Sequence, residues 1–345
     1  RAEAAHASSS LSLPLVGFLL ELLLAGFVLN LTLQPLVEPD LGWHLRAGLD
    51  LIAEGWRLPD TDPYSHTMPE WHWVEHAWLT DGVLAVIYRG MEPFGGVGLI
   101  LFFSGVTALA WWVAALPAAV HRIYRWVAMV ASLWVALPFL GARTQLVSFL
   151  GVAILLWGWH RIQQGQRIGI YGLPPLFLLW ANLHGGFTAG LFLSALLLSL
   201  SGLVKVWAGR PAVEALLDEP VLSWKDLRRW AIGLGLATAV TCLNPYGWRL
   251  YLEIYESLTD RFMVETLREW QPVSFRGWAG QAYGFYLAGL GCLVGGWYRR
   301  VEPVRWVMLV VMLGLSLLHW RNVPLFLIVS LSLAAGESVG LLGPN

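Results

Sequence analysis

Charge is scarce in this chain. Lysine, arginine, aspartate and glutamate make up 13% of its 345 residues, against about 25% in ordinary soluble domains, so the polar groups needed to coat a water-facing surface are missing. Cysteine is scarcer still. Cys242 and Cys292 fall in or beside apolar stretches, which gives neither a disulfide framework nor a zinc site and leaves them as packing residues. The 36 glycines form no Walker or dinucleotide loop and follow helix-packing spacing, which argues against a soluble nucleotide donor. The net charge of −1 says little by itself, because in a membrane protein the division of charge between the two sides carries the information. Nucleic acid is not an expected partner.

What the chain has instead is hydrophobic surface: 57% apolar residues and 21 tryptophans. Backbone amides in hydrocarbon must be paired within their own segment, and runs of about 20 apolar residues match a core of about 30 Å. The composition therefore predicts an all-α, polytopic transmembrane helical bundle forming one domain over residues 1–345. Apolar runs at 11–34, 97–119, 126–141, 146–162, 170–184, 186–206, 229–245, 279–298, 304–320 and 322–341 give about ten spans. The first is too long for a signal peptide and lacks a small-residue cleavage pattern. A shorter stretch, 76–91, is interrupted by Asp81 and Gly82 and is either a further span or an interfacial helix.

Sidedness chooses between those options. With 76–91 lying flat, Arg122, Arg125, Arg161, Arg167, Lys205, Arg210, Lys225, Arg228, Arg229, Arg299, Arg300 and Arg305 share one side, which the positive-inside rule makes cytoplasmic. The other side is net acidic. An external loop over 35–96, a cytoplasmic connector over 205–228 and a second external segment over 246–278 follow, and the five polar clusters around Asp40, Arg143, Asn182, Asn244 and Arg321 all fall on the external face. A cavity roofed by the two external segments is expected there.

In that cavity Asp40, with Glu38 two residues away, can take a proton from an attacking hydroxyl or hold a divalent cation; a solvated carboxylate capping the next helix is the plainer reading. On a helix His44 shares a face with Asp40, while Arg46 points elsewhere. Arg143 and Arg321, flanked by Gln145 and by His319 and Asn322, suit bidentate phosphate binding or simple snorkelling to the interface. Asn182, His184, Asn244 and Tyr246 can hydrogen-bond sugar hydroxyls or merely end helices. Trp43, Trp71, Trp73 and Trp78 are either sugar-stacking rings or belt anchors, the latter favoured. His160, beside Trp157 and Trp159, could ligate a haem or chlorin, although a lone interfacial histidine is more often structural. Glu21, inside the first run, must face the bundle or a partner subunit.

The segments Asp40-Leu-Gly-Trp-His-Leu-Arg-Ala-Gly48, Thr61-Asp-Pro-Tyr-Ser65, Glu75-His-Ala-Trp78, Arg143-Thr-Gln145, Trp180-Ala-Asn-Leu-His-Gly-Gly186, Leu243-Asn-Pro-Tyr-Gly-Trp248 and Arg321-Asn-Val-Pro324 resemble a family of bacterial polytopic proteins grouped with the glycosyltransferase C superfamily. An opening helix, an external loop with an acidic pair and a surface helix before the bundle resemble that superfamily too. The resemblance implies transfer of a sugar from a polyprenyl-phosphate donor on the extracytoplasmic face of the bacterial cytoplasmic membrane. Asp40, with Glu38, would stand at the first-loop catalytic acid. A second acidic site in a later external loop, common in the superfamily, has no clear equivalent among Glu253, Glu256, Asp260, Glu265 and Glu269. Two other readings stay open: a non-catalytic subunit of a larger redox or photosynthetic assembly with partner membrane subunits, and a lipid or solute transporter.

Overall fold

The structure, a computed structural model, describes residues 2–67, 70–117, 122–208, 210, 221–297 and 303–334. Among these it is all-α, and the isolated bridge between Thr61 and His72 is its only extended pairing. The helices are α1 (Ala2–Thr32), α2 (Leu41–Ala53), α3 (Trp78–Gly90), α4 (Gly95–Ala115), α5 (Arg122–Ala136), α6 (Leu146–Gln163), α7 (Ile168–Tyr171), α8 (Leu173–Leu183), α9 (Phe187–Trp207), α10 (Trp224–Val240), α11 (Arg249–Thr259), α12 (Arg261–Thr266), α13 (Trp278–Trp297), α14 (Pro303–Leu318) and α15 (Val323–Ala334). Leu15–Thr32 of α1, α4, α6 and α9 are long and apolar enough to cross a membrane.

Each apolar run carries a helix, with local differences that have causes. The run 170–184 is divided at Gly172, where α8 restarts with Pro174 in its first turn, a place where proline's missing N–H costs nothing. The run 126–141 begins earlier, at Arg122, and its last turn tightens to a 3-10 helix, Leu137–Phe139, at Pro138. Residues 118–119 of the second run, 335–341 of the last and 211–220 of the connector lie outside the described residues.

At the centre is α15. Its sequence is apolar on every side, and from Val323 to Leu331 only Leu325 falls short of full burial, as expected of a helix with no polar face. It packs on α4, α5, α6 and α14. Around it, buried aromatic side chains turn their polar atoms to a serine on the next helix: Trp111 Nε1 to Ser132 Oγ (2.9 Å), Trp180 Nε1 to Ser148 Oγ (2.9 Å), Trp230 Nε1 to Ser194 Oγ (3.2 Å), and the Tyr283 and Tyr286 hydroxyls to Ser316 (2.6 Å) and Ser330 (2.8 Å). Each pairing satisfies an indole or phenol donor that burial would otherwise leave stranded, and each ties two helices together.

Glu21 also finds its partner inside the chain. Its carboxylate lies 3.2 Å from Arg122 at the start of α5, so the acid sits level with the first turn of that helix and is paired with a cation. His160 meets the Gln164 side chain one turn on, at 2.9 Å.

Candidate functional site

The polar residues gather at the opposite end from Glu21, where α1, α5, α8, α10 and α14 finish and α6, α9, α13 and α15 begin. The closest helix contact there is between α2 and α3, and glycine makes it possible. A Cβ on Gly48 would stand 1.9 Å from the backbone oxygen of Asp81, so only a residue without one allows α3 to come so near. That approach brings Asp81 to His44, one turn before Gly48 on α2: His44 Nδ1 is 2.7 Å from Asp81 Oδ1, and His44 Nε2 is 3.4 Å from Thr144 Oγ1. Trp43 stacks on the His44 ring, with Trp73 and then Tyr64 edge-on beyond it. The Thr61–Ser65 motif shapes this cover, since Asp62 Oδ1 accepts from the Tyr64 and Ser65 amides in an Asx turn.

Burial works against charge throughout this corner. It pushes the His44 imidazole down to about 4, opposed by the charge of Asp40. It raises Asp81 well above the usual carboxylate range. Glu75 is raised likewise, by burial first and then by the charge of Asp81, with Glu253 of α11 adding to the rise and the Ala77 N–H (2.9 Å) opposing it.

Three imidazoles run in a row from here. The His76 ring lies 6.4 Å from that of His44 and 5.4 Å from that of His184. The protonation of His184 is set by its neighbours. The Gly186 amide donates to its Nδ1 (2.9 Å) and the Ser148 hydroxyl, already accepting from Trp180, lies 2.8 Å from the same atom. With Nδ1 the acceptor, the proton of the neutral ring is on Nε2, which makes His184 a donor to whatever enters beside it.

The two arginines play different parts. Arg143 is held by Glu38 at 2.7 Å and by Glu269 at 3.5 Å, so its charge is compensated by protein carboxylates. Arg321 makes no ion pair with any described residue. Its guanidinium lies 4.2 Å from the centroid of the Trp270 ring, and His319 Nδ1 contacts the Trp270 carbonyl at 2.7 Å. His76 is within electrostatic reach of both Arg321 and Asp40. Asp40 is exposed at the N-terminus of α2, makes no side-chain capping bond and meets no described residue by hydrogen bond or ion pair. The half-buried Gln145 side chain is similarly uncommitted at the start of α6.

Other residues in the clusters are engaged by the fold. Asn182 donates to the Leu178 and Leu243 carbonyls and accepts from Trp78 Nε1. Asn244 donates to the Thr241 and Gly247 carbonyls and accepts from the Tyr246 amide. Asn322 donates to the Leu315 carbonyl, and the Tyr246 ring packs against the core, where burial raises its phenol and its hydroxyl meets no hydrogen-bond partner among the described residues. Arg46 pairs at 2.8 Å with Asp50 on the exposed face of α2, away from His44. Trp71 is exposed.

Glu75, His76 and Asp81 were not among the residues that the sequence reading placed in the pocket, nor were Thr144, Ser148 and Glu269. One signal did exist for Asp81: an acid beside a glycine in the middle of an otherwise apolar helix. Among the described residues, the grouping of His, Cys, Asp and Glu with metal-ligand spacing is His44, Glu75 and Asp81, whose candidate ligand atoms all lie within 4.8 Å of one another. Asp40 and Glu38 stand outside that group, and Glu38 is paired with Arg143. Comparisons with family models, with curated proteins and with solved structures gave no match for this chain.

Proposed function

We propose that this is a polytopic protein of a bacterial cytoplasmic membrane, with about ten spans, whose extracytoplasmic pocket transfers a sugar from a polyprenyl-phosphate donor to an acceptor hydroxyl. Several features support the membrane reading: the four long apolar helices, the alternation of helix ends at the polar pocket, and the length of α3. Its 13 residues reach roughly 20 Å, short of a hydrocarbon core of about 30 Å, so α2 and α3 are read as lying on the external surface.

The observation that carries the chemical reading is a carboxylate, Asp40, and a guanidinium, Arg321, neither ion-paired to a described residue and both within electrostatic reach of one imidazole, His76. In the proposed reaction Asp40 removes the proton of the acceptor hydroxyl as its oxygen bonds to the anomeric carbon. The bond from that carbon to the phosphate oxygen breaks on the opposite face, inverting the centre, and the polyprenyl phosphate leaves with the electron pair. Arg321 meets the charge developing on that phosphate, in a pocket where few waters compete. His184, with its proton on Nε2, and Gln145 are available to sugar hydroxyls. Arg143 holds Glu38 and Glu269 in place and so orders the wall beside Asp40.

The test is conversion of a labelled polyprenyl-phosphate sugar by the protein reconstituted in liposomes. Asp40→Asn is expected to lower turnover by about 100- to 10,000-fold, the usual scale for a lost general base, with unfolding unchanged. Full turnover in that variant would sink the mechanism. The non-catalytic reading draws on α1, whose apolar side chains from Leu15 to Leu29 are largely exposed. It predicts instead no turnover and purification at fixed stoichiometry with other membrane subunits.

A further inference from the structure

The sugar-transfer reading leaves the most deeply buried polar group of the pocket unused. His44 is 5% exposed, Glu75 3% and Asp81 1%. They come from three separate pieces of chain, α2, the loop before α3, and α3 itself. Two carboxylates are thus buried beside each other, with His44 on Asp81 and His76 Nδ1 3.8 Å from Glu75 Oε1, and no lysine or arginine is paired to either of them among the described residues. Internal hydrogen bonds account for only part of their capacity. Asp81 Oδ1 faces His44 and Glu75 Oε1 accepts from Ala77, while Asp81 Oδ2, fully shielded from solvent, has no partner. A buried oxygen with no donor is costly, on the order of 1–3 kcal/mol, and native proteins rarely keep one without a ligand to meet it.

Protons are one remedy. They would neutralise the carboxylates but would still leave the convergence of three ligands from three segments unexplained. A cation answers both features. It supplies positive charge where no lysine or arginine among the described residues does, and it gives the orphan oxygen of Asp81 a partner. The donor set also selects the ion: one imidazole nitrogen with carboxylate oxygens suits Zn2+ or Mn2+ better than Mg2+ or Ca2+, which prefer oxygen alone.

We propose that His44, Glu75 and Asp81 form a binding site for a single Zn2+ or Mn2+ ion, which fastens α2 to α3 at the closest helix contact of the polar end. Binding is ligation without redox change. The ion exchanges water for the imidazole nitrogen and carboxylate oxygens, and protons held by the carboxyl groups or shared between His44 and Asp81 leave to solvent. Glu253, already close enough to Glu75 for its charge to be felt, adds negative potential from outside the ligand set. The site differs from a cation on Asp40 and Glu38, and it does not depend on the sugar-transfer reading.

The experiment uses the full chain in detergent, stripped with a chelator, reloaded with Mn2+ or Zn2+ separately, and assayed for bound metal by elemental analysis. One ion per chain is expected, with modulation from an imidazole nitrogen in the pulsed electron paramagnetic resonance of the Mn2+ form. Asp81→Asn and Glu75→Gln should each weaken binding by at least about tenfold, whereas Asp40→Asn should bind normally whether or not it transfers sugar. Wild-type protein that is folded yet takes up neither ion overturns the proposal. So does Mn2+ bound without imidazole modulation, a result that needs no variant to fold, and so does binding unchanged in both carboxylate variants.

Discussion

At the corner where α8 meets α10, Asn182 and Asn244 commit both amide hydrogens and the carbonyl to the protein itself. Elsewhere at the polar end Asp40 makes no hydrogen bond or ion pair with any described residue, and Arg321 rests on an indole rather than an acid. Both corners read alike in the sequence, as polar residues at the ends of apolar runs. Their difference lies in saturation. A polar group whose donors and acceptors are all engaged braces the fold, and one left open is available to a ligand.

That contrast can be broken by substitution. The largest effect is expected at the open corner: Arg321→Gln should cut sugar transfer by about 100- to 1,000-fold, the loss seen when one donor to a developing anion is removed, while thermal unfolding barely moves. A variant that instead unfolds early, with normal turnover per folded molecule, would make Arg321 a brace like the asparagines. At the saturated corner the signs reverse. Asn182→Ala strands the Trp78 N–H and the Leu243 carbonyl, so stability should drop by about 1–3 kcal/mol, read by thermal unfolding in detergent, with transfer per folded molecule retained. The smallest effect belongs to Arg46→Ala. Its ion pair with Asp50 is exposed and one helical turn long, worth less than about 0.5 kcal/mol, and neither stability nor transfer should change; a loss of transfer there would move the pocket to the other face of α2.

Much of the fold could be read before any coordinates, because hydrocarbon-length apolar runs leave the backbone no alternative to helix. The short helix around Asp81 also follows from local chemistry, whereas the division at Gly172 falls inside a run, 170–184, that reads as one span. The wiring between helices could not be read. Nothing in the spacing of Ser132, Ser148, Ser194, Ser316 and Ser330 pairs each with a particular tryptophan or tyrosine, since those partners meet only when whole helices dock. The site divides in the same way. Arg143, Arg321, Asp40 and His184 stand out as polar residues at span ends, but Glu75 passes for a loop acid, and Asp81 for an interruption, until Gly48 is seen to let one backbone almost touch another. That Glu38 holds Arg143, 105 residues on, is likewise a product of topology.

The central position of α15 bears on how the protein is made. Ribosomal synthesis delivers α4, α5 and α6 well before Val323, so the groove they line must stay open, or be filled by lipid, until the later hairpin of α14 and α15 slides in. Arg321 travels on the bend of that hairpin. Nascent chains halted short of it would carry Asp40, Arg143 and the three histidines but lack Arg321, the guanidinium that rests on the Trp270 ring, so the polar end is completed late in synthesis.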